Sequence, residues 1–239
     1  MFEWSPDSVR FQRDSAEYTG SYDVLAAHAA GKLAKGSSVF EGGCGLGHLS
    51  LALAKRGFAL TAMDISSLAI ESFRRDAERF AVSPVILEGD LFSLPESMTF
   101  DCAVFSFFGS TDEMLRWAKL HACNRLICFK KNWDTHRFTR DPGSIRKYTY
   151  PLTCEDLVQL GVPFQSEVFD VDMGQPFRSI EDAVLFFRLH DPEGNMEKED
   201  IMPRLTETDD RVFPYYLPAR RSVGMIAVSV DEIPNTVII

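Results

Sequence analysis

From Ser38 onward the chain alternates two kinds of apolar pattern. The runs "SVFE", "ALTAMD", "PVILEGD", "FDCAVFSFF" and "RLICFK" are short and β-rich, and read as strands one to five. Between them, apolar residues return every three or four positions. Leu46, Leu49 and Leu53 do so before a stop at Gly57. After Ser66, a residue suited to an N-cap, Ile70, Phe73, Ala77 and Phe80 form one helical stripe, and "DEMLRWAKL" predicts a further helix. Strand and helix in alternation imply parallel strands joined by crossover helices. This parallel core is expected to end near Lys130.

The later sequence changes character. "EDLVQLG" suggests a helix, and "SEVFDVDMG" alternates like a sixth strand with one wet face. Ser179 is placed to cap a helix running through Leu189, with Asp182 three residues on as the acid of a capping box. A charged, proline-punctuated stretch follows, and then a last strand, "VGMIAVSV". The expected organisation is one domain over 1–239. It comprises an N-terminal helical segment (1–36), a core (37–130) and a cap insertion (174–222).

Composition narrows the field. A chain of 239 residues with 45% hydrophobic content can bury one substantial core. A net charge of −10 disfavours general affinity for nucleic acid or an anionic membrane. The N-terminus lacks the pattern of a signal peptide and no apolar run is long enough to span a bilayer, so a cytoplasmic location is expected. The five cysteines form no CxxC pair, and no metal site is expected. Cys44 reads as a small residue filling a tight turn.

The chemistry concentrates at the first strand-to-helix turn. Glu41 ends the strand, and Gly43, Gly45 and Gly47 follow as G-x-G-x-G, a spacing different from the G-x-G-x-x-G of dinucleotide sites. Asp64 closes the second strand about 20 residues on, where an acid can accept from ribose hydroxyls. Asp90 closes the third within "LEGDLFSLP".

In these residues the sequence resembles the class I S-adenosylmethionine-dependent methyltransferases, over roughly residues 37–130. The resemblance implies an α/β, Rossmann-like seven-stranded sheet with helices on both faces. Strands one to five would be parallel, the sixth parallel beyond them, and the last, near 224–230, inserted antiparallel. S-adenosyl-L-methionine is the implied cofactor. Glu41 and the three glycines would face its methionine moiety, Asp64 with Ile65 its ribose side, and Asp90 and the Leu91 N–H its adenine. Phe105 and Ser106 would lie over it at the end of strand four, and Tyr18 would help the N-terminal segment close the site. The cofactor carries cationic groups and no phosphate, which suits a turn lined by acids.

The acceptor is less legible. The nucleic-acid amine motif Asn/Asp-Pro-Pro-aromatic is missing after strand four, which together with the acidic balance favours a small molecule. Residues 125–147 hold seven Lys or Arg against two Asp, so an anionic acceptor is one expectation. That loop also has a structural reading, facing the acidic stretch from Asp191 to Asp210. His136 is a weak candidate base, with Trp133 a pocket candidate, while His48 reads as a packing residue. "FPYYLP" lines a pocket or packs the cap. The expected activity is methyl transfer to a small molecule, the alternative a non-catalytic cofactor-binding regulator or partner subunit.

Overall fold

The computed structural model describes residues 3–237, apart from 122, 134, 136–137, 139–146 and 192–195. The chain opens with helices α1 (Pro6–Thr19) and α2 (Ser21–Ala30). An alternating core follows: β1 (Ser38–Gly42), α3 (His48–Ala54), β2 (Ala59–Asp64), α4 (Ser67–Arg79), β3 (Val85–Glu88), β4 (Cys102–Ser106), α5 (Thr111–Leu120) and β5 (Arg125–Lys131). Then come α6 (Tyr150–Gln159), β6 (Gln165–Asp172), β7 (Gln175–Phe177), α7 (Ile180–His190), α8 (Lys198–Ile201), β8 (Thr206–Glu207), β9 (Tyr215–Leu217) and β10 (Arg220–Ser229).

The main sheet has the order β3-β2-β1-β4-β5-β10-β6. β1 to β5 run parallel, and β10 pairs antiparallel with both β5 and β6, so β6 is parallel to the core strands. This is the sheet expected from the sequence, including the inserted last strand. Both faces are covered, and the period of two shows why. Val39, Val104, Ile127, Phe129 and Met225 meet α2 and α3 on one face, while Phe40, Ala103, Phe105, Cys128 and Ile226 meet α5 and α6 on the other. Among the described residues no helix is long and apolar enough to cross a membrane.

Ser66 caps α4 as its position predicts, accepting from the Ala69 N–H at 3.3 Å. Ser179 likewise caps α7, accepting from the Asp182 N–H at 3.1 Å. Asp182 does not complete a capping box on Ser179. Its carboxylate instead accepts from the Arg178 N–H and from the Arg10 guanidinium. The Arg10 bond, 2.7 Å long, ties α7 to α1.

Between β6 and β10 the chain builds a second, three-stranded sheet, β7-β9-β8, with α7 and α8. Its apolar cluster includes Phe177, Phe186, Phe187, Ile201 and Leu217, and also Phe11 from α1. α1 therefore joins two bodies. Arg178 pairs with Asp14 and Ser15 Oγ donates to the Gly174 carbonyl on one side; Arg13 donates to Ser72 and Asp76 of α4 on the other.

Candidate functional site

Parallel strands deliver their carboxyl ends to one edge, and the predicted acids stand there in register. Glu41 is 2% exposed, directly before the glycine turn, and its Oε2 accepts from Ser50 Oγ of α3 at 2.5 Å. Burial, with Asp64 nearby, pushes its carboxyl up to about 7 despite that hydrogen bond. The Asp64 carboxylate holds the turn itself: Oδ2 accepts from the Gly45 N–H at 2.8 Å and Oδ1 from the Ser66 N–H at 2.9 Å. Each oxygen keeps a second lone pair for a ligand hydroxyl. Asp90 is exposed and caps a short 3-10 turn, accepting from the Phe92 N–H at 2.8 Å.

The three glycines share left-handed backbone but have different neighbours. A Cβ on Gly47 would sit 2.3 Å from the Phe73 ring, and one on Gly43 would sit 2.4 Å from Phe108, so both positions are fixed by packing. At Gly45 (φ +54°) the nearest atom is Cζ2 of Trp4, 3.2 Å from where a Cβ would stand. The N-terminal segment thus lies across the turn. Nothing in the sequence periodicity marks Trp4. The only cue is an aromatic residue just ahead of a Ser-Pro helix start.

The remaining predicted residues separate into groups. Ile65 is 52% exposed beside Asp64, an apolar shelf at the strand edge, and Leu91 is half-buried with its carbonyl accepting from Trp117 Nε1. Ser106 Oγ is buried without a hydrogen-bond partner among the described residues, which makes it available to a ligand. The Phe105 ring, by contrast, is 1% exposed, packed against Gly42 and edge-on to Trp117, and belongs to the sheet core. Tyr18 lies against Tyr216 and Phe213 of the late insertion, with ring centroids 5.1 and 5.8 Å away. His136 falls outside the described residues, as does most of its basic loop.

Two buried groups escaped the sequence reading. Lys130, at the end of β5, is fully buried, and its ammonium donates to the carbonyls of Phe108 and Gly109 at 2.9 and 2.6 Å. Burial holds its pKa below the usual lysine range. It fastens the loop after β4, whose Phe107 has φ 56°, so that Phe108 covers Gly43. A lysine closing the apolar run "RLICFK" was the available signal. The second group is His48, whose ring lies 5.2 Å from Tyr22 and whose Nε2 is buried without a hydrogen-bond partner. Burial among Arg13, Arg79 and Lys55 lowers its pKa to about 3, so the imidazole is neutral.

The donor set fits S-adenosylmethionine. Three carboxylates occupy successive strand ends, and a buried hydroxyl is free at a fourth. That arrangement suits a cationic ligand with ribose hydroxyls and no phosphate.

Residues 39–127 match the family model described as a methyltransferase domain. Over 47 residues, 20% of the chain, the sequence is 45% identical to an S-adenosyl-L-methionine-dependent Diels-Alderase of Talaromyces variabilis. Over 72 residues, 30% of the chain, it is 35% identical to a 23S rRNA (uracil(747)-C(5))-methyltransferase of Pyrococcus horikoshii. These matches span only 16% and 18% of the length of those two proteins. The fold as a whole is similar to the magnesium protoporphyrin IX methyltransferase of Synechocystis PCC 6803, solved with SAH bound. The TM-score is 0.52 at 16% identity, over 95% of this chain and 89% of that one. Through residues 39–127 and the sheet built around them, the chain belongs to the class I S-adenosylmethionine-dependent methyltransferases.

Proposed function

We propose that the protein binds S-adenosyl-L-methionine at the glycine turn and transfers its methyl group to a small-molecule acceptor. The observation that carries this reading is the row of acids around the turn: Glu41 buried beneath it, Asp64 bracing Gly45, and Asp90 exposed at the next strand end. Asp64 would take the ribose hydroxyls, Asp90 and the Leu91 N–H the adenine, and Glu41 the positive charge at the methionine end. Bound there, the cofactor supplies an electrophilic methyl group. The chain's own contribution is to hold an acceptor against it and to keep water out.

A small acceptor is supported by what surrounds the turn. Trp4 lies over Gly45 and also lines a recessed cleft between α1, the end of β6 and α7. A cleft roofed by helices on an acidic protein suits a metabolite better than a nucleic acid strand. Calorimetry with S-adenosylmethionine and S-adenosylhomocysteine, followed by methyl transfer across a metabolite panel, tests both halves. Binding without turnover of any acceptor would favour a cofactor-dependent regulator. Failure to bind either form would remove the proposal.

A further inference from the structure

The cleft beside Trp4 has a chemical bias that its residue types alone do not reveal. Its walls are aromatic and come from three separate parts of the chain: Trp4 and Phe11, then Phe138, then Phe186. Phe186 meets Phe11 at 5.1 Å and 77°, and Phe138 at 5.0 Å and 76°, two edge-to-face contacts that fix the rings relative to one another. Phe11 and Phe186 are buried, so these walls are formed in advance. No Lys, Arg, Asp or Glu lines the cleft among the described residues. An ion entering it would lose hydration without gaining a counter-charge.

The polar lining groups are Ser8, Gln12, Ser15, Gln175 and His190, and all of them direct donors into the protein. Ser8 Oγ donates to the Ser5 carbonyl at 3.0 Å, and Ser15 Oγ donates to the Gly174 carbonyl at 2.7 Å. Gln12 Nε2 donates to the Tyr22 hydroxyl at 3.0 Å, and Gln175 Nε2 to the Pro176 carbonyl at 3.1 Å. His190 Nδ1 lies 2.9 Å from the Phe186 carbonyl, an acceptor only, so that nitrogen carries the proton and the lone pair of the neutral ring is on Nε2. A hydroxyl has a single hydrogen to give. What these side chains retain for a ligand is mainly oxygen and nitrogen lone pairs.

We infer that this cleft selects a neutral, planar ring bearing an O–H or N–H donor, and that the acceptor's methylated atom belongs to that class. The inference rests on the methyltransferase reading for its purpose, while the preference itself is a property of the cleft. The enclosed part, about 80 Å³, is smaller than the ~150 Å³ cavity that takes a whole benzene ring. A single ring therefore enters edge-first with its far side at the mouth. The expectation of an anionic acceptor, drawn from the basic loop, is replaced by a neutral one, since that loop lies mostly outside the described residues.

Ligand-observed NMR on the full chain, with and without S-adenosylhomocysteine, tests this with four probes: phenol, aniline, anisole and benzoate. Phenol or aniline is expected to bind about tenfold more tightly than anisole and benzoate, the scale of one buried hydrogen bond. His190→Phe keeps a ring between Phe138 and Phe186 but removes a lone pair, and Ser15→Ala removes another; each should shrink the phenol-to-anisole ratio severalfold. Anisole or benzoate binding as well as phenol, or no ring binding at all, would overturn the inference. So would a ratio that both variants leave untouched. Calorimetry of S-adenosylhomocysteine separates the two readings, because its failure would sink the methyltransferase proposal while the ring preference stayed measurable.

Discussion

Two apolar bodies make up this molecule, and they are joined by different means. The main sheet is sealed on both faces by helices, with side chains alternating strictly between two clusters. The body built from residues 175–217 is an aromatic cluster, and many of its ties to the remainder are polar and pass through α1: Arg10 with Asp182, Arg178 with Asp14, Ser15 with the Gly174 carbonyl. Continuous apolar packing makes a region cooperative, whereas a joint of hydrogen bonds and half-exposed ion pairs contributes little on its own. A rigid cofactor platform under a separately stabilised cover is the arrangement that results.

The largest expected effect tests the difference directly with one substitution in each body. Gly47→Val puts a branched side chain into the Phe73 ring at φ +72°, so strain and overpacking add to about 3 kcal/mol or more of global destabilisation. Gly174→Val instead strikes the Tyr216 hydroxyl and the Leu217 carbonyl, both in the cover. It should disturb β7 and β9 while leaving the denaturation midpoint of the sheet and the affinity for S-adenosylhomocysteine nearly unchanged. Equal losses of stability in the two variants would show that the bodies unfold as one.

A second effect of similar order lies within the platform and is hidden in the wild type. Glu41 titrates near 7 when folded and near 4.5 when unfolded, so the folded state holds its proton longer and stability falls as pH rises from 4.5 to 7. His48 titrates near 3 when folded and 6.5 when unfolded, so the unfolded state takes the proton first and stability falls as pH drops below 6.5. Between about 4.5 and 6.5 the two slopes oppose each other, each worth a few kcal/mol over its full range. Glu41→Gln should therefore expose a loss on acidification, and His48→Gln a gain. Denaturant midpoints at pH 5 and 6.5 measure both, and parallel slopes in the two variants would refute the assignment.

These residues also show what a sequence can reveal. Glu41, Asp64 and Ser66 were legible because a strand end and a helix start are local events, set by a few neighbouring residues. The sheet order followed because crossover handedness and strand alternation leave few alternatives. Trp4, Lys130 and His190 acquire their roles only when distant segments meet: Trp4 on Gly45, Lys130 on the Phe108 carbonyl, His190 beside Phe138. Phe105 was misread for the same reason. A strand-end aromatic can face a ligand or the neighbouring layer, and the period of two places it on the α5 side with Trp117.

On the platform, Asp64→Ala should weaken S-adenosylhomocysteine binding more than Asp90→Ala does. Both remove polar recognition worth about 1–3 kcal/mol, but Asp64 also braces the Gly45 N–H, whereas Asp90 braces only the exposed turn at Phe92. Calorimetry on the two variants checks the order. Unchanged affinity in both would mean that the strand ends do not hold the ligand.

The smallest effect gives the sharpest comparison, because the same chemical change can be made in both bodies. Ser66 and Ser179 cap α4 and α7 through one side-chain oxygen each, accepting from the third helical N–H at 3.3 and 3.1 Å. Replacing either by Ala removes about 1 kcal/mol of cap stabilisation. α4 is bound into the platform through Ile70, Phe73 and Ala77, all buried, so it cannot unravel without the sheet. For Ser66→Ala the whole loss should appear in the global unfolding free energy. α7 contributes to a cluster of its own, and the cover can open by releasing α1's ion pairs while the sheet stays formed. For Ser179→Ala the loss should appear as faster native-state hydrogen exchange confined to 175–217, with the global midpoint barely displaced. If both substitutions lower the global value equally and exchange accelerates everywhere, the cover is continuous with the platform, and an acceptor would have to reach its cleft without the cover opening.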